Sequence, residues 1–283
     1  MKTKSAFLGK IREVAKDISV PPEKLERHLA HLVLTQVWLQ NFEDTVSLEL
    51  FKGGTAIAWQ VDFAISRPTV DLDASSSESR AEVAQRIVLL NGQKWGPFEL
   101  GTPKIKTVRV PTGIDYDDAL VVARVPIRFR DSRWLTVTLE IAPNCDLHLG
   151  ENILPNVEMR EILVSLGLPT VAALPVISIE RQMAEKLHAL TAPGSDRGKD
   201  LYDLCLIDEL IPFEMTVLAI AVRQVFEERA THSWGEGFGL STEVRAAYVR
   251  QAGEFARSVS FDEALARLQR LKKDIDACLE SLG

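Results

Sequence analysis

The feature that most constrains the fold is a run of alternating apolar and charged residues near the middle of the chain. Between residues 119 and 130, apolar positions alternate with arginines, and this period of two is typical of a half-buried β-strand. After an Asp-Ser turn, residues 134–142 return as a second strand. Such a hairpin predicts an antiparallel or mixed sheet. The alternating apolar residues are Ala123, Val125, Ile127 and Phe129.

Helical patterns lie on either side of this strand-rich middle. Two amphipathic helices are expected first, followed by further strands, and from about Pro155 the pattern turns helical. We therefore predict an α+β protein, with a mixed sheet and N-terminal helices over residues 1–160 and a helical domain over 161–283. The expected helices are 6–17, 20–41, 178–190, 200–210, 213–229, 241–257 and 261–281, and the further strands are 47–51, 69–74 and 104–110.

Composition excludes several classes of protein. The chain has 33 Lys and Arg against 40 Asp and Glu, a net charge of −7, which argues against a generally basic nucleic-acid coat protein. Its three cysteines are far apart and odd in number, which excludes a disulfide framework, and the absence of a CxxC pair argues against a zinc ribbon. The charged N-terminus lacks the apolar segment of a signal peptide, and no apolar stretch is long enough to cross a bilayer. We expect a cytoplasmic protein with no membrane partner.

The first candidate site follows the predicted strand at 47–51. Glycines between a strand and a helix let the backbone approach a ligand closely. The N-terminal end of the following helix would offer its unpaired N–H groups to a phosphate. The alternative is a plain strand-to-helix turn. The residues concerned are Lys52, Gly53, Gly54 and Thr55.

A pair of aspartates forms the second candidate site. Asp71 and Asp73 lie on a predicted strand, where residues two apart point to the same face. Carboxylates placed in this way repel each other unless a cation lies between them, and oxygen ligands suit hard cations such as Mg²⁺. The pair therefore fits metal-assisted phosphoryl transfer. The alternative is a solvated strand edge.

A third carboxylate would complete such a metal site. Glu140 lies near the end of the 134–142 strand, on the predicted polar face with Trp134, Thr136 and Thr138. A neighbouring strand would bring it to the aspartates, although an exposed strand glutamate is the alternative. Asp146 is a second candidate for the same role.

The third candidate site surrounds a later helix. Lys186 borders the apolar stripe of that helix, where a lysine either extends to solvent or presents a compact positive charge to a triphosphate. Asp200 and Asp203 are neighbours on one helical face, preceded by Arg197 and Lys199. The alternative is a charged first helical turn, in which acidic residues are favoured by the helix dipole.

Four motifs, taken in their order along the chain, resemble those of the AbiEii/AbiGii toxin family of nucleotidyltransferases. They are Lys-Gly-Gly-Thr, then Arg-x-Thr-x-Asp-x-Asp from Arg67, then Ala-Glu-Lys-Leu-x-Ala-Leu and Arg-x-Lys-Asp-Leu-Tyr-Asp-Leu. The resemblance extends over roughly residues 10–281. It implies a polymerase-beta-like nucleotidyltransferase fold followed by a helical region that completes the active site. It also implies a nucleoside triphosphate substrate and Mg²⁺.

The resemblance further implies a toxin of a toxin–antitoxin or phage-defence pair, with a cognate antitoxin as partner and the 3′ end of transfer RNA as acceptor. The implied metal ligands are Asp71, Asp73 and Glu140. The implied catalytic residues are Asp71, Asp73, Glu140, Lys186 and Asp200. The implied nucleotide-binding residues are Lys52, Gly53, Gly54, Thr55, Arg67, Lys186, Arg197, Lys199 and Asp203.

Two other functions remain open from the sequence. The acceptor could be a small molecule or a protein side chain, or the chain could be a catalytically silent module that binds nucleotide or RNA. A nucleic-acid acceptor requires a positive surface on the protein. Six basic residues could form such a surface, or they could simply cover a solvated face of the sheet. These are Lys104, Lys106, Arg109, Arg124, Arg128 and Arg130.

Overall fold

The computed structural model describes residues 3–42, 49–106, 119–145, 150–252 and 259–282. The chain divides into two compact units, Met1–Ala64 with Pro68–Ile177 and Ile65–Arg67 with Ser178–Gly283. The predicted division between residues 160 and 161 assigns 161–177 to the helical domain. In the structure this segment belongs to the first unit, because its strand pairs with the sheet of that unit. The division into two domains at residue 160 stays a prediction.

The first unit combines one sheet with helices. Its helices are α1 (Lys4–Asp17), α2 (Pro22–Phe42), α3 (Gly53–Ala58), α4 (Arg80–Leu89) and α5 (Val157–Ser165). Its strands are β1 (Glu49–Lys52), β2 (Asp71–Ser76), β3 (Lys94–Trp95), β4 (Phe98–Leu100), β5 (Lys104–Ile105), β6 (Val121–Phe129), β7 (Ser132–Ala142), β8 (Gly150–Ile153) and β9 (Leu174–Ile177). The predicted strand at 104–110 corresponds to β5, and its residues 107–110 lie outside the described ranges.

The strands pair in both directions, as the predicted α+β class requires. Along the described chain, the sheet order is β3-β4-β6-β7-β2-β1-β9-β8, with β5 also paired to β6. Strands β6 and β7 form the predicted antiparallel hairpin, while β2 is parallel to β7 and antiparallel to β1. The strand with the aspartate pair therefore lies inside the sheet, between β7 and β1.

Aromatic and aliphatic side chains fill the core of the first unit. Phe7 of α1 stacks on Phe129 of β6, with ring centroids 4.4 Å apart. Leu72 and Ala74 of β2 belong to the same buried cluster. Removing this apolar surface from water is the main favourable contribution to folding. Because side chains alternate along a strand, Asp71 and Asp73 project from the opposite face of β2.

Trp134 does not lie on the polar face where the sequence pattern places it. The side chain is buried against Phe7, and its indole N–H donates a 2.6 Å hydrogen bond to Glu26 of α2. A register irregularity between Ile127 and Arg128 interrupts the pairing of β6 with β7 next to this residue. The period of two therefore holds for Thr136 to Ile141 but not across the bulge.

The second unit is helical. Its helices are α6 (Ile179–Thr191), α7 (Gly198–Leu210), α8 (Met215–Arg229), α9 (Thr242–Ala252) and α10 (Phe261–Leu282). Helix α6 packs against α7 and α8, and α7 packs against α9. A Cβ on Gly198 would lie 2.3 Å from the Tyr248 backbone nitrogen, so only glycine allows α7 to begin this close to α9. Among the described helices, none is long and apolar enough to cross a membrane.

Candidate active site

The aspartate pair lies half-buried on one face of β2. Asp71 and Asp73 alternate with the buried residues Leu72 and Ala74, so both carboxylates project away from the apolar core. This arrangement follows from the period of two along the strand. The predicted strand at 69–74 corresponds to β2, and Asp71 and Asp73 are the first and third residues of β2.

The pairing of β2 with β7 brings Glu140 next to Asp73. The two strands run parallel, with Asp73 in register with Glu140 and Asp71 in register with Thr138. Residues directly opposite each other in a sheet project from the same face, about 5 Å apart. The structure therefore places the three predicted metal ligands on one face. Asp146, the other candidate, lies outside the described residues.

The Gly-Gly turn lies directly beside this acidic face. Lys52 of β1 is in register with Asp73 of β2. A Cβ on Gly53 would lie 2.4 Å from Oδ2 of Asp73, and the φ angle of Gly53 is +72°. A side chain at position 53 would be strained and would occupy the space of the carboxylate. Glycine at this position therefore allows the backbone to approach Asp73 closely.

Thr55 supports the aspartate strand from inside the unit. Its side chain is fully buried, and its hydroxyl donates a 3.3 Å hydrogen bond to the Asp71 carbonyl oxygen. The same hydroxyl lies 3.0 Å from Nδ1 of His31 on α2. Because the hydroxyl proton is donated to Asp71, Nδ1 of His31 is the donor in the second bond. Sequence reasoning gave His31 no role, although a buried histidine is an unusual feature of a helix core.

Burial keeps the two α2 histidines neutral. Desolvation lowers the pKa of His31 to about 4, with Arg27 acting in the same direction. Desolvation likewise lowers the pKa of His28 to about 3, with a further contribution from His31. His31 thus acts as a neutral hydrogen-bond donor that holds Thr55, and through Thr55 the backbone of Asp71.

The helix after the Gly-Gly turn is short. Helix α3 begins at Gly53 and has only six residues. Its dipole is correspondingly small, so the electrostatic attraction expected for a phosphate at its N-terminus is weak. The close approach at Gly53 is the stronger of the two predicted features.

The residues suit a divalent cation by chemistry and by strand position. Carboxylate oxygens are the ligands that hard cations prefer, and Asp71, Asp73 and Glu140 share a face. Within the described ranges, however, no group of three or more His, Cys, Asp or Glu side chains is arranged to hold a metal ion. The strand positions of the three carboxylates fit such an ion. Their side-chain conformations in this structure do not converge on one point.

The second unit contains an ionic network of five residues, of which Lys186 and the two aspartates are buried. Nζ of Lys186 on α6 lies 3.0 Å from Asp200 and 2.7 Å from Asp203, both on α7. Arg67 also binds Asp203, at 2.9 Å, and Arg197 binds Asp200 at 2.6 Å. Both aspartate side chains are 1% exposed. Three positive and two negative residues leave the network with an excess of one positive charge.

Opposite charges outweigh burial in this network. Desolvation alone would lower the pKa of Lys186, but Asp203 and Asp200 raise it above its ordinary value. Desolvation would raise the pKa of Asp200, but Lys186 and Arg197 lower it to about 2. Asp200 therefore stabilises the fold above about pH 4, and this contribution is lost as the pH falls toward 2.

The structure thus separates the predicted site residues into two groups. In the first unit, Lys52, Gly53 and Thr55 lie around the aspartates of β2, with Glu140 on the next strand. In the second unit, Arg67, Lys186 and Arg197 are joined to the aspartates of α7. Lys199 lies in the first turn of α7 and is half-buried.

The mixed sheet, with its Asp-x-Asp strand beside a Gly-Gly turn, agrees with the nucleotidyltransferase fold that the motif resemblance implies. Residues 33–282 match the family described as the nucleotidyl transferase AbiEii toxin of type IV toxin–antitoxin systems, and the chain belongs to that family. The resemblance inferred from the motifs, the fold class and the enzyme class are therefore confirmed. Membership implies a nucleoside triphosphate substrate and a cognate antitoxin.

Two solved structures match over most of the chain, and the first of them has a similar fold. MenT4, a nucleotidyltransferase toxin from Mycobacterium tuberculosis H37Rv, is 20% identical with a TM-score of 0.60, over 94% of this chain and 89% of that chain. An antigenic nucleotidyltransferase-like protein from Paracoccidioides brasiliensis is 14% identical with a TM-score of 0.41, over 75% of this chain and 91% of that chain. A comparison with curated proteins finds no match.

Proposed function

We propose that this toxin transfers a nucleotide from a nucleoside triphosphate to the 3′ end of transfer RNA, with Mg²⁺ as cofactor. The observation that carries the proposal is the alignment of Asp71, Asp73 and Glu140 on one sheet face, with the Asp73 carboxylate against Gly53. Both substrates occur in the cytoplasm, where we place the reaction.

Asp71, Asp73 and Glu140 would hold the metal. When bound, Mg²⁺ supplies positive charge that neutralises the charge developing on the phosphates. The chain itself supplies the geometry: the Thr55 hydroxyl fixes the Asp71 backbone, and Gly53 leaves room for the Asp73 carboxylate. Rigid support of this kind matters because a small misplacement of reacting groups is costly in rate.

The proposed reaction forms one bond and breaks one. The acceptor hydroxyl oxygen attacks the α-phosphorus, and the bond from that phosphorus to the oxygen bridging to the β-phosphate breaks. Pyrophosphate leaves, and the hydroxyl proton passes to solvent or, if Glu140 serves as base instead of metal ligand, to Glu140. Glu140 is suited to this task because a carboxylate can act as a general base within hydrogen-bonding reach.

The residues of the ionic network keep their predicted role in binding nucleotide. Lys186, Arg67, Arg197 and Lys199 are the proposed sources of positive charge for the triphosphate, with Asp200 and Asp203 holding the first three in place. The motif resemblance and the family membership support this assignment. Lys186 itself is engaged by two carboxylates, so its contribution is electrostatic rather than that of a freely moving ammonium group.

The acceptor is tested by incubating the purified protein and Mg²⁺ with each α-labelled nucleoside triphosphate. Transfer RNA, total RNA, a protein extract and a set of hydroxylated small molecules serve as separate acceptors. We expect label on transfer RNA, lost after removal of its 3′-terminal nucleotide. Label on protein or on a small molecule would instead support the rival acceptors. No transfer, with nucleotide binding retained, would support a silent module.

A further inference from the structure

A row of aligned residues runs across the first-unit sheet, at right angles to its strands. Asp71 of β2 is in register with Thr138 of β7. Thr138 is also in register with Arg124 of β6, which is opposite Lys104 of β5. Because directly opposed residues project from the same face, Thr138, Arg124 and Lys104 lie on the face that carries the acids.

A second row lies beside the first. Asp73 is in register with Glu140, and Glu140 is opposite Val122 of β6. The backbone nitrogen of Lys106, just after β5, donates a 2.7 Å hydrogen bond to the Val122 carbonyl oxygen. Each row therefore runs from an aspartate of β2 across β7 and β6 to a lysine, which lies in β5 in the first row and just after β5 in the second.

The spacing of strands sets the distance between the two ends of a row. Neighbouring strands lie about 4.8 Å apart, so Arg124 is roughly 10 Å and Lys104 roughly 14 Å from Asp71 across the sheet. These separations are too large for either residue to act on the phosphorus that reacts beside the aspartates. They suit contacts to the backbone phosphates of a nucleic-acid strand, a short way from a strand end that lies at Asp71 and Asp73.

Arg124 and Lys104 carry exposed charges. Both side chains are exposed, and neither forms an ion pair with any residue that the structure describes. Arg128 differs, although it projects from the same face of β6. It is opposite Glu99 of β4, whose carboxylate also binds Lys94 at 3.1 Å. Arg128 is also opposite Arg133 of β7, and it lies four residues further along β6, about 13 Å from Arg124 and away from the two rows that lead to the acids.

We propose that Arg124 and Lys104 are positioning residues that hold the phosphates of a single-stranded RNA end, so that its terminal hydroxyl reaches Asp71 and Asp73. The inference rests on the proposed function and names the surface that serves it. A chain with a net charge of −7 repels a polyanion over most of its surface. A local positive strip leading to the acids overcomes that repulsion, since Arg and Lys both bind phosphate.

The test measures binding of a fluorescent single-stranded RNA oligonucleotide by anisotropy over a range of salt concentrations. The variants are R124A, K104A and the double variant, with R128A as the matched control on the same strand and face. Each lost phosphate contact lowers the salt slope for a single strand by about 0.7. We expect the double variant to lower the slope by about 1.4 and to bind at least about tenfold more weakly at low salt.

R128A is expected to change RNA affinity less than twofold. A double variant with wild-type affinity and salt slope would overturn the proposal, and so would an equal loss in R128A. Circular dichroism checks that each variant is folded, which is expected because all three positions are exposed.

Transfer assays separate this inference from the proposed function. We expect the double variant to raise the KM for RNA while leaving the KM for the nucleoside triphosphate unchanged. If the wild type transfers nucleotide but the double variant keeps the same KM for RNA, the positioning role fails and the reaction stands. If the wild type transfers nothing to RNA while the double variant loses RNA binding, the surface stands and the reaction fails.

Discussion

At the scale of single residues, the absence of a side chain at position 53 is as important as the carboxylates themselves. Gly53 occupies the left-handed region at φ +72°, and the Asp73 carboxylate fills the space where a Cβ would lie. The sequence predicts that glycine here allows close approach to a ligand. The structure adds that the approach is to a carboxylate of the chain itself, which no sequence pattern specifies.

Gly53→Ala is predicted to abolish nucleotide transfer while leaving the protein folded. The substituted Cβ would displace Asp73, and the positive φ would cost about 1–2 kcal/mol of unfolding free energy. Gly92→Ala is the matched control, because Gly92 has a φ of +79° but no atom within 4 Å of its Cβ position. Equal transfer rates for the two variants, measured with labelled nucleotide, would argue against the role of Gly53.

The buried histidines predict an acid-dependent loss of stability. His28, His31 and His188 have folded pKa values of about 3, 4 and 4, below the ordinary value of 6.5. Below pH 6.5 the unfolded chain therefore takes up protons that the folded chain does not, and the unfolding free energy falls. We expect a decrease of about 3–4 kcal/mol between pH 7.5 and 5.5, measured by urea denaturation.

His28→Gln should remove about a third of that pH dependence, since one of three titrating groups is lost. The comparison is made on the same variant at both pH values, so that any packing defect cancels. A variant that retains the full wild-type pH dependence would show that other groups are responsible.

At the scale of secondary-structure elements, two helices of the second unit are joined by charge rather than by apolar contact alone. Lys186 of α6 lies between two α7 aspartates, each of which also has an arginine partner. The sequence places Asp200 and Asp203 on one helical face and Lys186 beside an apolar stripe. It does not reveal that these faces meet, because the angle and register of helix packing depend on many side chains at once.

Lys186→Met is predicted to lower the unfolding free energy by about 3–5 kcal/mol, because two buried carboxylates lose a shared partner. The measurement is urea denaturation near neutral pH. Lys10→Met is the control: the side chains of Lys10 and its partner Glu13 are 42% and 66% exposed. Such an exposed pair contributes less than about 1 kcal/mol. A similar loss in both variants would contradict the importance of burial in the network.

At the scale of the whole molecule, the order of motifs carries more information than any one of them. The α+β class, the β6–β7 hairpin and the aspartate strand follow from local periodicity, which depends only on neighbouring residues. The pairing of Asp73 with Glu140 joins strands far apart in the chain, and local patterns do not fix such a register. The association of Arg67 with Asp203, 136 residues later, is equally inaccessible to local patterns.

The central claim is that the acidic face formed by β2 and β7 carries out nucleotide transfer. Its most direct test is transfer of an α-labelled nucleotide to RNA by the wild type, D71N, D73N and E140Q, with E99Q of β4 as a carboxylate control. The account predicts a loss of at least about a hundredfold in the three site variants and near wild-type activity in E99Q. Full activity in folded D71N and D73N would contradict it.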